Sequence, residues 1–217
     1  MIKERLEALR MKGYDFDIQD IMIRSWQMFK KQALLSIAFT MLIFSIQLLL
    51  TIYIPDYALL HALFLAPPLY SGFYLVANKI SQNETVVYPD FFKGFNFYIL
   101  VFSIWLIGQV LTAFGLILLI VPGIYLAVSY SFSVLMGMFG GFDFWNALEE
   151  SRKLITIRWW KFFVFSLILI SINLLGFLTF GLSLLVSIPM TFYATYILFE
   201  DLTKEIFLEE EKTNLIQ

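Results

Sequence analysis

Residues 98–139 read YILVFSIWLIGQVLTAFGLILLIVPGIYLAVSYSFSVLMGMF, forty-two positions without one Asp, Glu, Lys, Arg or His. A bilayer crossing needs about 20 mainly apolar residues to cover a hydrocarbon core of about 30 Å. This run is twice that length, so it folds back on itself. The break falls at Leu119 to Gly123, where Pro122 removes a backbone donor and Gly123 frees the chain. A second double-length run extends from Trp160 to Phe199, with its turn near Gly176 to Gly181. Ahead of both lie Ala33 to Ile54, ended by Pro55-Asp56, and Tyr57 to Ala77, ended by NKISQNETVVYPD. The economical reading is an all-α, polytopic membrane bundle of six spans in three hairpins: 33–54 with 57–77, 98–119 with 122–139, and 160–177 with 178–199. Residues 1–32 form an N-terminal segment and 200–217 an acidic tail.

Composition agrees. Of 217 residues, 60 % are hydrophobic and 15 % charged, with 24 Phe, 11 Tyr and 5 Trp. That is more apolar surface than a body of this size can hide from water, which excludes a soluble domain and a disordered chain. A net charge of −2 gives no footprint for nucleic acid. Cysteine is absent and histidine occurs once, at His61, so no thiolate or His-cluster metal site and no cofactor is implied. Residues 1–32 carry charges of both signs and read as no cleavable signal peptide, so the first apolar run is expected to act as its own insertion signal.

Charge sets the orientation. All fifteen Lys and Arg fall in four segments: 1–32, 78–97, 140–161 and the tail from Glu200. The three intervening turns hold a single charged residue, Asp56. By the positive-inside rule both termini and the two long loops are cytoplasmic.

The hairpins resemble one another. Each opens on an aromatic-basic stretch, SWQMFKKQ (25–32), FFKGFNFY (91–98) and IRWWKFF (157–163). Each second helix carries proline, at Pro67-Pro68, Pro122 and Pro189. A shift of 67 positions places Thr112 on Thr179 and Pro122 on Pro189, which suggests a hairpin repeat of parallel type. Two cytoplasmic segments read as amphipathic helices. In one, Ile18, Ile21, Met22, Ser25 and Phe29 share a face, with Asp15 or Asp17 as N-cap. In the other, Asp143 caps Phe144, Ala147, Leu148, Ser151 and Leu154. Trp26, Trp145, Trp159 and Trp160 are the candidate interfacial anchors. Ordinary packing across the cytoplasmic end of the bundle is the alternative role for both helices.

Apart from Lys161 at the entry of the fifth span, no Asp, Glu, Lys or Arg lies within a span, and coupled pumps and proton relays usually need one. No Ser–His, Asp–Asp or zinc set can be assembled for catalysis. The polar residues Gln109, Asn173, Thr112 and Thr179 could line a groove for a headgroup or small solute; interhelical hydrogen bonding is the plainer use. Pro68, Pro122, Gly123 and Pro189 are the candidate helix breaks.

The stretches LILLIVPGIYLAVSYSF, WNALEESRKLITIRWWKFF and LLGFLTFGLSLLVSIPMTFYATYILFEDL resemble a bacterial family of six-span membrane proteins of unknown function. That family is related to the membrane domain attached to glycerophosphoryl diester phosphodiesterases. The resemblance covers nearly the whole chain at coarse spacing, and its motifs are structural. It implies the bacterial cytoplasmic membrane and a role near phospholipid, while phosphodiesterase chemistry belongs to a separate domain that this chain has no room for. The expected protein is a non-enzymatic scaffold or accessory subunit. Membrane lipids are its surroundings, and a protein partner or a second copy is its company. An uncoupled transporter, channel or lipid translocator using Pro-broken helices is the competing expectation.

Overall fold

The computed structural model describes residues 2–214, and those residues are helical with no strand among them. The helices are α1 (Ile2–Lys12), α2 (Ile18–Lys31), α3 (Ala33–Tyr53), α4 (Pro55–Leu60), α5 (Ala66–Ser81), α6 (Tyr98–Leu118), α7 (Ile120–Ser129), α8 (Ser133–Gly140), α9 (Phe144–Thr156), α10 (Trp159–Phe177) and α11 (Leu184–Asn214). A π-helical turn, His61–Leu65, joins α4 to α5, and a 3₁₀ helix, Tyr88–Phe97, leads into α6. Among the described residues, five helical rods are long and apolar enough to cross a bilayer: Ala33–Tyr53, Pro55–Ser81, Tyr88–Leu118, Ile120–Gly140 and Trp159–Gly176.

The expected sixth span, 178–199, is not among them. Residues 178–183 are turn rather than helix, with Phe180 and Gly181 in the left-handed region at φ 53° and 83°. Thr179 closes this turn, its hydroxyl donating to the Gly176 carbonyl (2.8 Å) and accepting from the Ser183 N–H (3.0 Å). The apolar part of α11 therefore runs only from Leu184 to Phe199 before Glu200 and Asp201, about 24 Å of helix.

The prolines do not break their helices as expected. Pro67 and Pro68 follow the π turn, in which the Ala66 N–H reaches back to the His61 carbonyl; widening the turn there accommodates the carbonyls that the prolines leave without donors. Pro122 sits in the first turn of α7, where a missing N–H costs nothing. Pro189 lies inside the unbroken α11. The one interruption of the fourth apolar rod is at Tyr130–Phe132, which contains no proline. A shift of 67 would lay it on residues 197–199, mid-helix in α11, so the two hairpins differ in helix continuity at this register.

That interruption is held from outside. The Ser151 hydroxyl on α9 donates to the Ser129 carbonyl (2.7 Å) and accepts from the Phe132 N–H (3.2 Å), and all of this is buried. Ser151→Ala is expected to leave both backbone groups unpaired and lower stability by about 1–3 kcal/mol. Thermal unfolding of the two proteins in the same detergent measures it.

The core lies toward the open ends of the hairpins. Phe39, Phe73, Phe91, Phe132 and Phe162 are fully buried, with Phe39 and Phe91 at 4.8 Å between ring centres. Tyr193 of α11 is buried among them, its hydroxyl bonded to Ser36 of α3 at 2.7 Å. α11 packs on α2, α3, α5 and α10. Exposed large apolar side chains instead gather toward the turns, in 48–65, 110–121 and 164–182. Lipid solvates such side chains as well as protein does, so these parts need no close partners.

α1 and the linker after it form a strap. Leu6 is fully buried. Lys3 donates to the Asn146 side chain (2.7 Å), and Tyr14 donates to the Leu154 carbonyl (2.6 Å). Arg158 donates to the Tyr14 carbonyl (3.0 Å) and Lys161 to Asp15 (2.5 Å). Asp17, one of the two expected caps, accepts from the Gln19 N–H and starts α2. Its buried face is Ile21, Ser25, Met28 and Phe29, shifted toward Met28 from the expected stripe.

Candidate functional site

The polar chemistry of the described residues concentrates where α9 meets α1 and α7. Asp143 caps α9 by accepting from the Asn146 N–H at 2.8 Å, as its position predicts. Along the helix, spacing then separates two faces. Ala147, Leu148, Ser151, Leu154 and Ile155 are buried, while Phe144 is exposed at 40 %. Glu150 lies on the buried side at 3 % exposure, a carboxylate in the core. Arg10 of α1 meets it at 2.6 Å and Lys153 at 3.3 Å. Pairing is what makes that burial tolerable. Glu150 is not among the residues the sequence singles out, although its spacing from Ala147 (i+3) and Leu154 (i−4) puts it on the apolar face.

Beside it Arg152 makes a bidentate pair with Glu149, at 2.8 and 2.7 Å, and donates to the Tyr125 hydroxyl at 3.3 Å. Tyr125 also bonds the Thr156 hydroxyl (2.7 Å), and its carbonyl accepts the Trp159 indole N–H (3.3 Å). A groove of about 470 Å³ opens here, lined by Lys3, Glu7, Arg10, Glu150, Arg152, Lys153 and Thr156. Four cations line it with two carboxylates, and a third carboxylate beside it, Glu149, pairs with Arg152 and with Lys153 (3.6 Å). A smaller groove of about 300 Å³ lies across α2, α5 and α11, where Arg24 pairs with Asp201 and with Asp20 (2.8 Å), and Ser81 bonds Glu200.

The residues singled out in the sequence are dispersed. Gln109 is exposed on α6, and no hydrogen bond among the described residues joins it to Asn173, Thr112 or Thr179. Asn173 is used between helices: its amide donates to the Thr191 hydroxyl (2.8 Å) and its carbonyl accepts from Ser187 (2.8 Å). Thr112 is half-buried, and Thr179 serves the turn already described. The four are spread over α6, α10 and the turn that follows it. Gly123 lies against Gly115, where an added Cβ would come within 3.0 Å of the Gly123 backbone. Trp160 is 73 % exposed, Trp145 is exposed, and Trp26 stacks on Phe29 at 5.5 Å beneath Lys30. Trp159 is half-buried against Tyr125 and stacks on Phe163 at 5.1 Å.

Electrostatics bind the same region. The Arg152 hydrogen bond holds the Glu149 carboxyl below its usual range and in return raises the guanidinium. Lys161 lowers Asp15, and the Asn146 N–H lowers Asp143. Each depressed carboxyl binds fewer protons in the folded chain than in the unfolded one. Its contribution is therefore complete above the ordinary carboxylate range and is lost as pH falls through the folded value. Stability is expected to be flat from neutral pH down to about 5 and to fall steadily below about 4. Melting temperature against pH in one detergent and at fixed salt checks this; a maximum near pH 4 would contradict it.

Family models, curated proteins and solved structures were all compared with the chain. None matches it. Function therefore has to be read from the groove and from how the surface divides. An open groove lined by Lys3, Arg10, Arg152 and Lys153, flanked by Tyr125, whose hydroxyl bonds Arg152 and Thr156, can hold a group that carries phosphate at the edge of a hydrocarbon phase.

Proposed function

We propose that this is a non-enzymatic integral membrane protein, a scaffold or accessory subunit, that holds an anionic phospholipid headgroup at its cytoplasmic surface. The observation that carries the reading is the α1–α9 groove, with Lys3, Arg10, Arg152 and Lys153 around one opening. Arg and Lys donors suit phosphate oxygens, and an adjacent aromatic side chain suits the acyl-glycerol boundary. The positive-inside distribution supports both termini in the cytoplasm, and the sequence resemblance supports the bacterial cytoplasmic membrane and kinship with the six-span family. Six crossings follow if all three hairpins reach the far interface; four follow if the middle one turns back inside the bilayer. Either count leaves both ends on one side.

Native mass spectrometry of the protein extracted in its own lipids tests the reading. A chain or homo-oligomer that retains an anionic phospholipid is the expected result, with retention reduced at least tenfold in a Lys3→Ala, Lys153→Ala double variant that still elutes as a single species. Retention of zwitterionic lipid alone, or equal retention by the variant, overturns the headgroup site. A second polypeptide at fixed stoichiometry identifies the accessory-subunit role.

A further inference from the structure

We infer that the α6–α7 hairpin is re-entrant: it enters the cytoplasmic leaflet, turns at Leu119 within the hydrocarbon and leaves by the same face. Its occupant surface is the acyl chains of that leaflet. The inference rests on the three-hairpin topology proposed above.

The geometry is one of depth. α9 carries Asp143, Glu149, Glu150, Arg152 and Lys153 and lies along this hairpin rather than below it. Leu148 faces Gly108, Ser151 bonds the Ser129 carbonyl, and Arg152 and Thr156 bond the Tyr125 hydroxyl. The Arg152–Glu149 pair is charged and about a third exposed, and ionised groups are costly in hydrocarbon, so we place it at the aqueous boundary. From Tyr125 to Leu119 there are six residues, about 9 Å of helix, against a hydrocarbon core of about 30 Å. The third hairpin supplies the comparison at the same height. Trp159 bonds the carbonyl of that same Tyr125, and the 19 residues of α10 rise from there, about 28 Å.

The chemistry of the turn agrees with its depth. From Ala113 to Ile124 there is no polar side chain, and Leu116 to Val121 are all exposed, Ile117 at 82 %. The other two turns are different, since one holds Asp56 and Tyr57 and the other Thr179 and Ser183. A turn in lipid must also leave little backbone unpaired. Here a single residue separates the helices, the Leu119 N–H still reaches the Gly115 carbonyl (3.0 Å), and Pro122 removes one donor from the first turn of α7. The Gly115–Gly123 approach lets the two arms close over so short a link. Charge counting along the chain cannot register this, because a hairpin that crosses and one that turns back place every loop on the same side.

The natural absence of cysteine makes the test direct. Single variants Asp56→Cys, Leu119→Cys, Leu182→Cys and Met11→Cys are expressed in cells and treated with a membrane-impermeant maleimide, first in intact cells and then in inverted vesicles. Asp56→Cys and Leu182→Cys should label from outside and Met11→Cys from inside. Leu119→Cys should label at least tenfold less than these from either side, and fully once detergent is added. Ile117→Cys and Val121→Cys repeat the measurement should Leu119→Cys fail to fold. Labelling of the tip from the side of Asp56 shows a full crossing and overturns the inference; labelling from the side of Met11 places the tip in water and overturns it equally. If Asp56→Cys and Leu182→Cys do not label from outside, the topology itself fails, a result distinct from either.

Discussion

Gly72→Ala is expected to remove most of the folded protein. Gly72 lies on α5 where the 3₁₀ helix Tyr88–Phe97 passes, and a methyl group there would overlap the Phe91 carbonyl oxygen and press on its backbone. The obstacle is main chain, so no rotamer change relieves it. Gly94 faces the same crossing from the other side, its missing Cβ directed at the Pro68 carbonyl and the Ser71 hydroxyl. Separating the two elements would pull Phe91 away from Phe39 and Phe73, which surround it in the core. Overpacking against movable side chains already costs about 1–3 kcal/mol, and a backbone clash at the centre of the aromatic cluster exceeds that range. The yield of monodisperse protein on size exclusion should fall at least tenfold. Gly13→Ala is the contrasting variant: its φ of +72° strains an alanine, but nothing lies within 4 Å of the added methyl, so the loss should stay near 1 kcal/mol.

Glu150→Ala should have the second largest effect. The carboxylate is buried at the junction of α1 and α9 and pairs with Arg10, whose side chain is itself only 16 % exposed. Removing one partner of such a pair leaves the other charge uncompensated, at a cost of about 3–5 kcal/mol. Arg10 and Lys153 would both lose their acceptor, and the strap formed by α1 should loosen. Limited proteolysis near residues 13–17 reports the strap, and thermal unfolding reports the whole. An Arg10→Met, Glu150→Leu double variant should recover much of the loss, because an apolar pair of similar volume avoids desolvating two charges. A double variant no better than Glu150→Ala would show that the apolar pair does not pack there.

What was legible in the sequence depended on how locally it is encoded. The caps at Asp17 and Asp143, the apolar rods, and the turns near Leu119 and Gly176 each follow from a few adjacent residues and appear where the sequence places them. The failures have a common cause in tertiary context. The break at Tyr130–Phe132 has no local signal, since it is stabilised by a serine on another helix. Proline reads as a breaker in sequence, yet a preceding π turn makes Pro67 and Pro68 compatible with helix, a first-turn position does so for Pro122, and Pro189 sits inside an unbroken helix. Gln109 and Asn173 are both polar residues in apolar helices, but only the fold distinguishes one on the surface from one bonded across to α11. Glu150 was within reach of helical arithmetic; its partner Arg10, 140 positions earlier, was not.

The strap also sets an order of events during synthesis. Asp15 and Lys161 are 146 positions apart, and Lys3 and Asn146 are 143 apart. At about 5–20 residues per second, the ribosome needs roughly 7–30 s to supply the second half of either contact after the first. Throughout that interval Leu6 has no core to enter, and the acidic and basic groups of residues 2–17 have no fixed counterparts on α9 or α10. A segment made well ahead of α9 and α10 is thus fixed only after them, and its docking reports that the chain has been completed through the start of α10.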